Sequence, residues 1–140
     1  IKIIASGKII TGFSILRNIA LGADMVNSAR AMMMALGCIQ ALECNKNTCP
    51  TGVATQNLDL MKGLVPQDKA IRVSRYHRET VDSVIDLLSA TGRKSIEKLS
   101  RYDINRRISQ MEVKRFDEIY PIIGEGSFLD GKIPPSLINE

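Results

Sequence analysis

The sequence has little with which to span a membrane, grip a nucleic acid or staple itself with disulfides. No window of its 140 residues approaches the roughly 20 unbroken apolar residues that cross a bilayer, and no secretory leader is visible, so cytosol is the expected compartment. Aromatics make up only 4% of the chain, and the net charge of +4 implies no strong global field. The basic excess is local: Arg93, Lys94, Lys98, Arg101, Arg106, Arg107, Lys114 and Arg115 stand against Glu97, Asp103 and Glu112. A nucleic-acid surface would interleave such a patch with stacking rings, and here only Tyr102 lies within it. The patch reads as a solvated face or a subunit contact. Cysteine occurs three times, a number that cannot pair off completely, and cytosol keeps thiols reduced. Buried thiols, a reactive thiol or metal ligation remain.

What is present suits a packed fold. Apolar residues at 44% can build a core. The chain starts at Ile1 rather than Met and opens directly on a strand-like run, IKIIAS, with few other such runs to pair with it. That pattern is expected of a piece of a larger protein.

Residues 1–5 form a continuous apolar run, as in a strand buried on both faces of a parallel sheet. Ser6-Gly7-Lys8 breaks it. Phe13, Leu16, Ile19 and Ala20 then recur at helical spacing, and Gly22 is placed to end that helix in a left-handed conformation. ADMVN reads as a second strand, and residues 28–42, rich in Ala, Met and Leu, as a second helix. Two strand–loop–helix units in succession mean parallel strands joined by right-handed crossovers, an α/β fold. Residues 44–66 read as an ordered loop punctuated by Asn, Gly and Pro. Residues 67–91 read as the longest helix, with Val73, His77, Val81, Val84 and Leu88 as its inward stripe. Gly92 ends it, Ser95 is a candidate cap for a short helix, and residues 116–140 read as an irregular tail.

Cys38, Cys44 and Cys49 are spaced C-x5-C-x4-C, with Pro50 directly after. A thiolate cluster needs soft anionic ligands converging from a loop free enough to wrap around it. Three ligands suit a three-iron cluster, or a four-iron cluster completed from outside the chain. Unligated thiols account for the spacing equally well, and zinc would want a fourth Cys or His. The single histidine, His77, lies on another helix and reads as a packing residue with no partner for catalysis. The two strand-to-helix turns, Ser6-Gly7-Lys8 and Asn27-Ser28-Ala29-Arg30, stand where βα units place function, since phosphate in a (β/α)8 barrel commonly rests on the loops after strands seven and eight. Gly and Ser also serve such turns merely by turning. The Met32-Met33-Met34 run is helix filling beside a core, and Arg72, Arg75 and Arg78 form a basic face toward solvent or a carboxylate.

From Ile1 to about Gln56, and most specifically across GCIQALECNKNTCPTGVATQ, the chain resembles the end of the flavin-binding synthase domain of glutamate synthase, closest to the smaller stand-alone FMN proteins of that kind. The resemblance loosens through the long helix and SIEKLSRYDI. It implies the C-terminal part of a (β/α)8 TIM barrel: residues 1–43 as its last two βα units, 44–66 as an iron–sulfur cluster loop, 67–92 as a long helix on the barrel, and 93–140 as a basic helical and irregular tail. Strand seven would be residues 1–5 and strand eight residues 24–27. It implies FMN, with its phosphate on Ser6, Gly7, Lys8, Ser28, Ala29 and Arg30, and a 3Fe-4S cluster on Cys38, Cys44 and Cys49. Relatives often carry a glycine pair after strand seven and a glycine-rich turn after strand eight; here Lys8, Asn27 and Ala29 replace those glycines.

The implied reaction is reductive synthesis of glutamate. Ammonia from glutamine condenses with 2-oxoglutarate, and reduced FMN passes a hydride to 2-iminoglutarate, with electrons arriving through the cluster. The implied partners are an electron-donor subunit or a ferredoxin, and a glutaminase domain or subunit. Strands one to six and the substrate residues would then lie upstream, the 140 residues alone would be inactive, and the edge of strand seven would be an association hazard. A rival of another class is a catalytically silent iron–sulfur or metal-binding interaction module descended from such an enzyme. A flavin-dependent barrel dehydrogenase acting on other substrates would leave the three cysteines unexplained.

Overall fold

A parallel pair of very short strands opens the chain, and each strand hands over to a helix. In the computed structural model, which describes residues 1–133, 135 and 138, β1 (Ile4–Ala5) pairs with β2 (Met25–Val26), Ile4 opposite Met25 and Ala5 opposite Val26. The strands expected over residues 1–5 and 24–27 thus shrink to two ladder residues each. Flanking bonds lengthen the pairing: the Asp24 N–H donates to the Ile3 carbonyl at 2.9 Å and the Asn27 N–H to the Ala5 carbonyl at 2.8 Å. The expected burial on both faces is not found, since Ile3, Ile4 and Met25 are each about half exposed. The reason is geometric: among the described residues this sheet has no third strand and nothing on its far face.

Helix α1 (Gly12–Ala20) begins where the Thr11 hydroxyl accepts the Ser14 N–H at 3.2 Å, a side-chain cap on an otherwise unpaired donor. Leu16 and Ala20 turn inward, and Gly22, at φ 116°, takes the left-handed conformation that closes the turn. Helix α2 (Arg30–Leu36) is shorter than the expected 28–42. Gly37 stops it at φ 108°, and the Cys38 N–H donates back to Met33 at 3.0 Å. Gln40 and Leu42 are also left-handed, at φ 58° and 59°, so no α-helix can run through them. The loop that follows contains a 3₁₀ turn (Cys44–Lys46) and helix α3 (Leu58–Met61), which Asn57 caps.

Helix α4 (Pro66–Ala90) is the spine, with proline at its first position, where no N–H is needed. It packs against both α1 and α2. Its inward stripe differs from the expectation: His77 and Val81 are exposed, while Val73, Tyr76, Thr80, Val84, Leu87 and Leu88 are buried or half-buried. Tyr76 and Thr80 can face inward because their hydroxyls are satisfied, Tyr76 donating to the Ile10 carbonyl and Thr80 to the Tyr76 carbonyl. His77 is therefore a surface residue rather than a packing one.

The segment after residue 94 does more than trail. Leu99, Ile104 and Phe116 join Leu16 and Ala20 in the buried cluster. Two 3₁₀ turns (Ile96–Lys98 and Arg101–Asp103), an antiparallel hairpin of β3 (Asn105–Arg107) with β4 (Val113–Arg115), and helix α5 (Phe116–Ile119) carry these residues there. The short helix expected at Ser95 is a 3₁₀ turn without a side-chain cap; the capped turn starts at Ser100. Arg101 fastens the segment by donating to the carbonyls of Tyr120, Pro121 and Leu21 at 2.8, 2.6 and 3.0 Å. The rest of the expected irregular tail, residues 134, 136, 137, 139 and 140, lies outside the described residues.

Asp103 is only 9% exposed at its side chain and joins Arg93 to the Ser100 cap. Burial pushes its carboxyl up, but the bonds from Arg93 and Ser100 outweigh this and hold it below the ordinary 3.8. A depressed folded-state value means the contribution is present above the ordinary carboxylate range and is lost as pH falls through the folded value. In urea unfolding, Asp103→Asn is expected to lose stability at neutral pH toward the lower end of about 1.5–3 kcal/mol, the range for hydrogen bonds to a charged group, because Arg93 is partly exposed. Its loss of stability below about pH 4 should be shallower than that of the unsubstituted chain.

Candidate functional site

Because β1 and β2 run parallel, the turns that follow them emerge at the same edge. A cleft of about 300 Å³ lies between them, bordered by Ser6, Gly7 and Lys8 of the first turn and by Asn27, Ala29 and Arg30 of the second. Five of the six expected phosphate residues thus meet at one place. The sixth, Ser28, is not on the lining. Its hydroxyl donates to the Ile9 carbonyl at 2.7 Å and so fixes the spacing of the two turns. Gly7 and Lys8 are both left-handed, at φ 97° and 54°. Lys8 thus holds the backbone shape that glycine would favour while adding a cation at the cleft.

The three cysteines are free thiols on consecutive parts of one loop. Cys38 follows the α2 cap, is half-buried, and accepts the Gln40 N–H at 3.4 Å. Cys44 opens the 3₁₀ turn and is exposed. Cys49 is 7% exposed, with its sulfur 3.4 Å from the Thr51 hydroxyl. That hydroxyl, then the Ala54 and Thr51 N–H groups and more weakly that of Val53, draw the Cys49 thiol down to about 7 from an ordinary 9.0 against the opposing cost of burial. The sulfurs are not gathered: Cys38 and Thr51 line one cleft and Cys44 another, with Asn47 and Thr55. Among the described residues no group of three His, Cys, Asp or Glu side chains is placed to hold a metal ion.

As donors, the cysteines nevertheless suit a thiolate-bound iron–sulfur cluster. The Cys38 sulfur already accepts a backbone N–H and the Cys49 sulfur lies against a hydroxyl, contacts of the kind by which a protein stabilises a coordinated thiolate. The loop has its own internal frame. Asn47, left-handed at φ 62°, accepts the Gln56 N–H at 2.6 Å and the Thr55 hydroxyl at 3.0 Å on its side-chain oxygen. Glu43 takes the Thr48 hydroxyl at 2.8 Å and Lys46 at 3.1 Å. Gly52, at φ 73°, runs so close to the Leu60 carbonyl that any Cβ there would collide with it.

Thr51, Asn47 and Tyr76 were not singled out by sequence. Asn47 carried a readable signal, since asparagine beside a turn tolerates the left-handed region. Tyr76 acts on the Ile10 carbonyl, a tertiary neighbour that no local pattern reveals, whereas Thr51 acts on Cys49 only two residues away.

Residues 1–94 match the family described as the conserved region in glutamate synthase. The chain is 47% identical over 92 residues to a glutamate synthase large subunit-like protein, YerD, of Bacillus subtilis, covering 66% of this chain and 18% of that protein. It is 41% identical over 99 residues to an archaeal glutamate synthase (NADPH) of Methanocaldococcus jannaschii, covering 71% of this chain and 19% of that protein. It is 30% identical over 111 residues to a ferredoxin-dependent glutamate synthase of Antithamnion sp., covering 78% of this chain and 7% of that protein. The chain thus spans a fifth or less of the relatives it matches.

Two substitutions test the loop. Thr51→Val should raise the thiol midpoint of Cys49 from about 7 toward 9.0, read from the pH dependence of its alkylation followed by mass spectrometry. Gly52→Ala should displace residues 49–52 from Leu60 and raise the alkylation rate of buried Cys49 severalfold, with exposed Cys44 unchanged.

Proposed function

The chain belongs to the glutamate synthase family, and we propose that it is the part of such an oxidoreductase where flavin and iron–sulfur chemistry meet. In this reading residues 1–43 are the last two βα units of a (β/α)8 barrel, residues 44–66 the cluster loop, residues 67–92 the supporting helix, and residues 93–140 the segment that braces them. The observation that carries it is the cleft where both strand-end turns converge, one short helix away from the cysteine loop. The half-exposed apolar residues of β1 and β2 support the barrel reading, because neighbouring strands and helices would cover them.

Each group in the cleft then has a task. Backbone N–H groups at Ser6–Lys8 and Ser28–Arg30 receive the phosphate of FMN, and Lys8 and Arg30 balance its charge. The Ser28 hydroxyl holds the turns at their spacing. Cys38, Cys44 and Cys49 would ligate a 3Fe-4S cluster, with the Gln40 N–H donating to Cys38 and the N–H groups of Thr51, Val53 and Ala54 directed at Cys49. When bound, the two cofactors supply hydride transfer to the imine of 2-oxoglutarate and ammonia, and one-electron transfer from a donor subunit or ferredoxin. Residues that bind 2-oxoglutarate, and a glutaminase domain or subunit that releases ammonia, belong to other parts of the assembly.

The test uses a protein that contains this chain, incubated anaerobically with 2-oxoglutarate, ¹⁵N-labelled glutamine or ammonia, and a reduced one-electron donor. Labelled glutamate should form. Cys44→Ser should retain FMN and lose donor-driven turnover, whereas Arg30→Ala should weaken FMN binding about tenfold, a reasonable loss for one charge-assisted phosphate contact. Product formation unaffected by Cys44→Ser would separate the cysteines from electron delivery. No glutamate with cofactors bound would favour the silent-module reading.

A further inference from the structure

Two cations of α4 lean over the Cys38 end of the loop, and among the described residues only one of them has a carboxylate neighbour. Lys69 is only 18% exposed, and its one carboxylate neighbour, Asp68 at 3.5 Å, is itself 62% exposed. Arg72 makes no side-chain hydrogen bond or ion pair among the described residues. A Cβ built on Gly37 would lie 3.4 Å from Lys69 Nζ and 3.8 Å from Arg72 Nη1, so both cations reach the residue directly before Cys38. Gly37, Cys38, Thr51, Lys69 and Arg72 border one cleft of about 430 Å³. Thr51 is also the residue whose hydroxyl lies against the Cys49 sulfur. Two of the three thiols therefore connect to this cleft, one on its wall and one through Thr51.

A plainer role exists. Cations beside the carboxyl end of α2 would complement its unpaired carbonyls. But α2 has only seven residues, and the N–H groups of Gly37 and Cys38 already engage the Met34 and Met33 carbonyls, leaving those of Ala35 and Leu36. Burying a lysine to that depth for a partly satisfied helix end is a poor exchange. A site that gathers negative charge explains it better.

We propose that Lys69 and Arg72 are counter-charges of the cluster site, raising its affinity for an electron. The inference rests on the reading of Cys38, Cys44 and Cys49 as cluster ligands. One electron arriving from a one-electron donor adds one negative charge to the site while no bond forms or breaks. Fixed positive charge at the edge of the cleft favours that added negative charge. Neither residue is a ligand; both act by position.

The experiment loads the full chain anaerobically with iron and sulfide. Its reduction by dithionite is then followed by electron paramagnetic resonance at controlled potential. Lys69→Met and Arg72→Met should keep their iron and their circular dichroism. At a fixed potential, each should lower the reduced-to-oxidised ratio about tenfold, which is about 59 mV for a one-electron couple. Lys69→Arg should stay close to the unsubstituted chain, which a merely steric role for lysine would not predict. If Lys69→Met fails to load iron and Lys69→Arg loads it normally, the charge requirement stands; failure of both overturns it. An unchanged ratio in loaded Met variants overturns the proposal and leaves the ligand assignment intact. A folded, unsubstituted chain that takes up no iron overturns both.

Discussion

The close approach of α1 to α4 at Gly12 sets where everything else can lie. A Cβ on Gly12 would stand 2.9 Å from both the Cβ of Ser83 and the backbone nitrogen of Val84, closer than packed atoms tolerate. Only glycine lets the first turn of α1 rest on α4. That contact fixes the direction from which β1 and β2 approach, because α1 joins them. Tyr76 reinforces it by bonding the Ile10 carbonyl just before α1, and Ser28 ties the second turn to Ile9. The cleft at the strand ends is thus anchored through three neighbouring residues, Ile9, Ile10 and Gly12, to elements distant in sequence.

The cysteine loop is shaped by a different constraint, backbone handedness. Gly37, Gln40, Leu42, Asn47 and Gly52 all have positive φ within sixteen residues of chain. Three of these lack glycine's freedom, so the surroundings must hold them. Asn47 is held by Thr55 and Gln56, and the turn between Glu43 and Thr48 by the Glu43 carboxylate. Such a path curls back on itself repeatedly. It places cysteines at three different depths (half-buried, exposed and buried), and the deepest, Cys49, has its thiol drawn down to about 7.

Much of this was legible from residue order alone. The βα succession, the stop at Gly22, the long helix and the family itself follow from period, punctuation and the NTCP run. The strand lengths did not, because residues 1–3 and 24 extend the ladder only where neighbouring strands exist. Helix α2 was overextended because Cys38 to Leu42 looks helical by composition, while Gly37 and two left-handed residues end it. The β3–β4 hairpin is masked by its charge: Arg106, Arg107, Lys114 and Arg115 lie on a ribbon exposed on both faces, where no alternation marks a buried side. The inward stripe of α4 differs by one residue at two positions. Val81 outranks Thr80 in hydropathy and His77 falls a step of four from Val73 and Val81, while Tyr76 and Thr80 turn inward because their hydroxyls have found carbonyls. Of the candidate site, the two strand-end turns were readable, and they meet at one cleft. The braces around them, Ser28 and Tyr76, depend on contacts across the fold.

The account stands on the three cysteines acting together, and one spectrum addresses that. Mössbauer spectroscopy of the chain after anaerobic loading with ⁵⁷Fe and sulfide, alongside a sample in which Cys38, Cys44 and Cys49 are each serine, counts the irons and reports their ligand field. The account predicts a three-iron pattern in the first sample and none in the second. Tetrahedral mononuclear iron, or loosely bound iron equal in both samples while circular dichroism shows both folded, would contradict it.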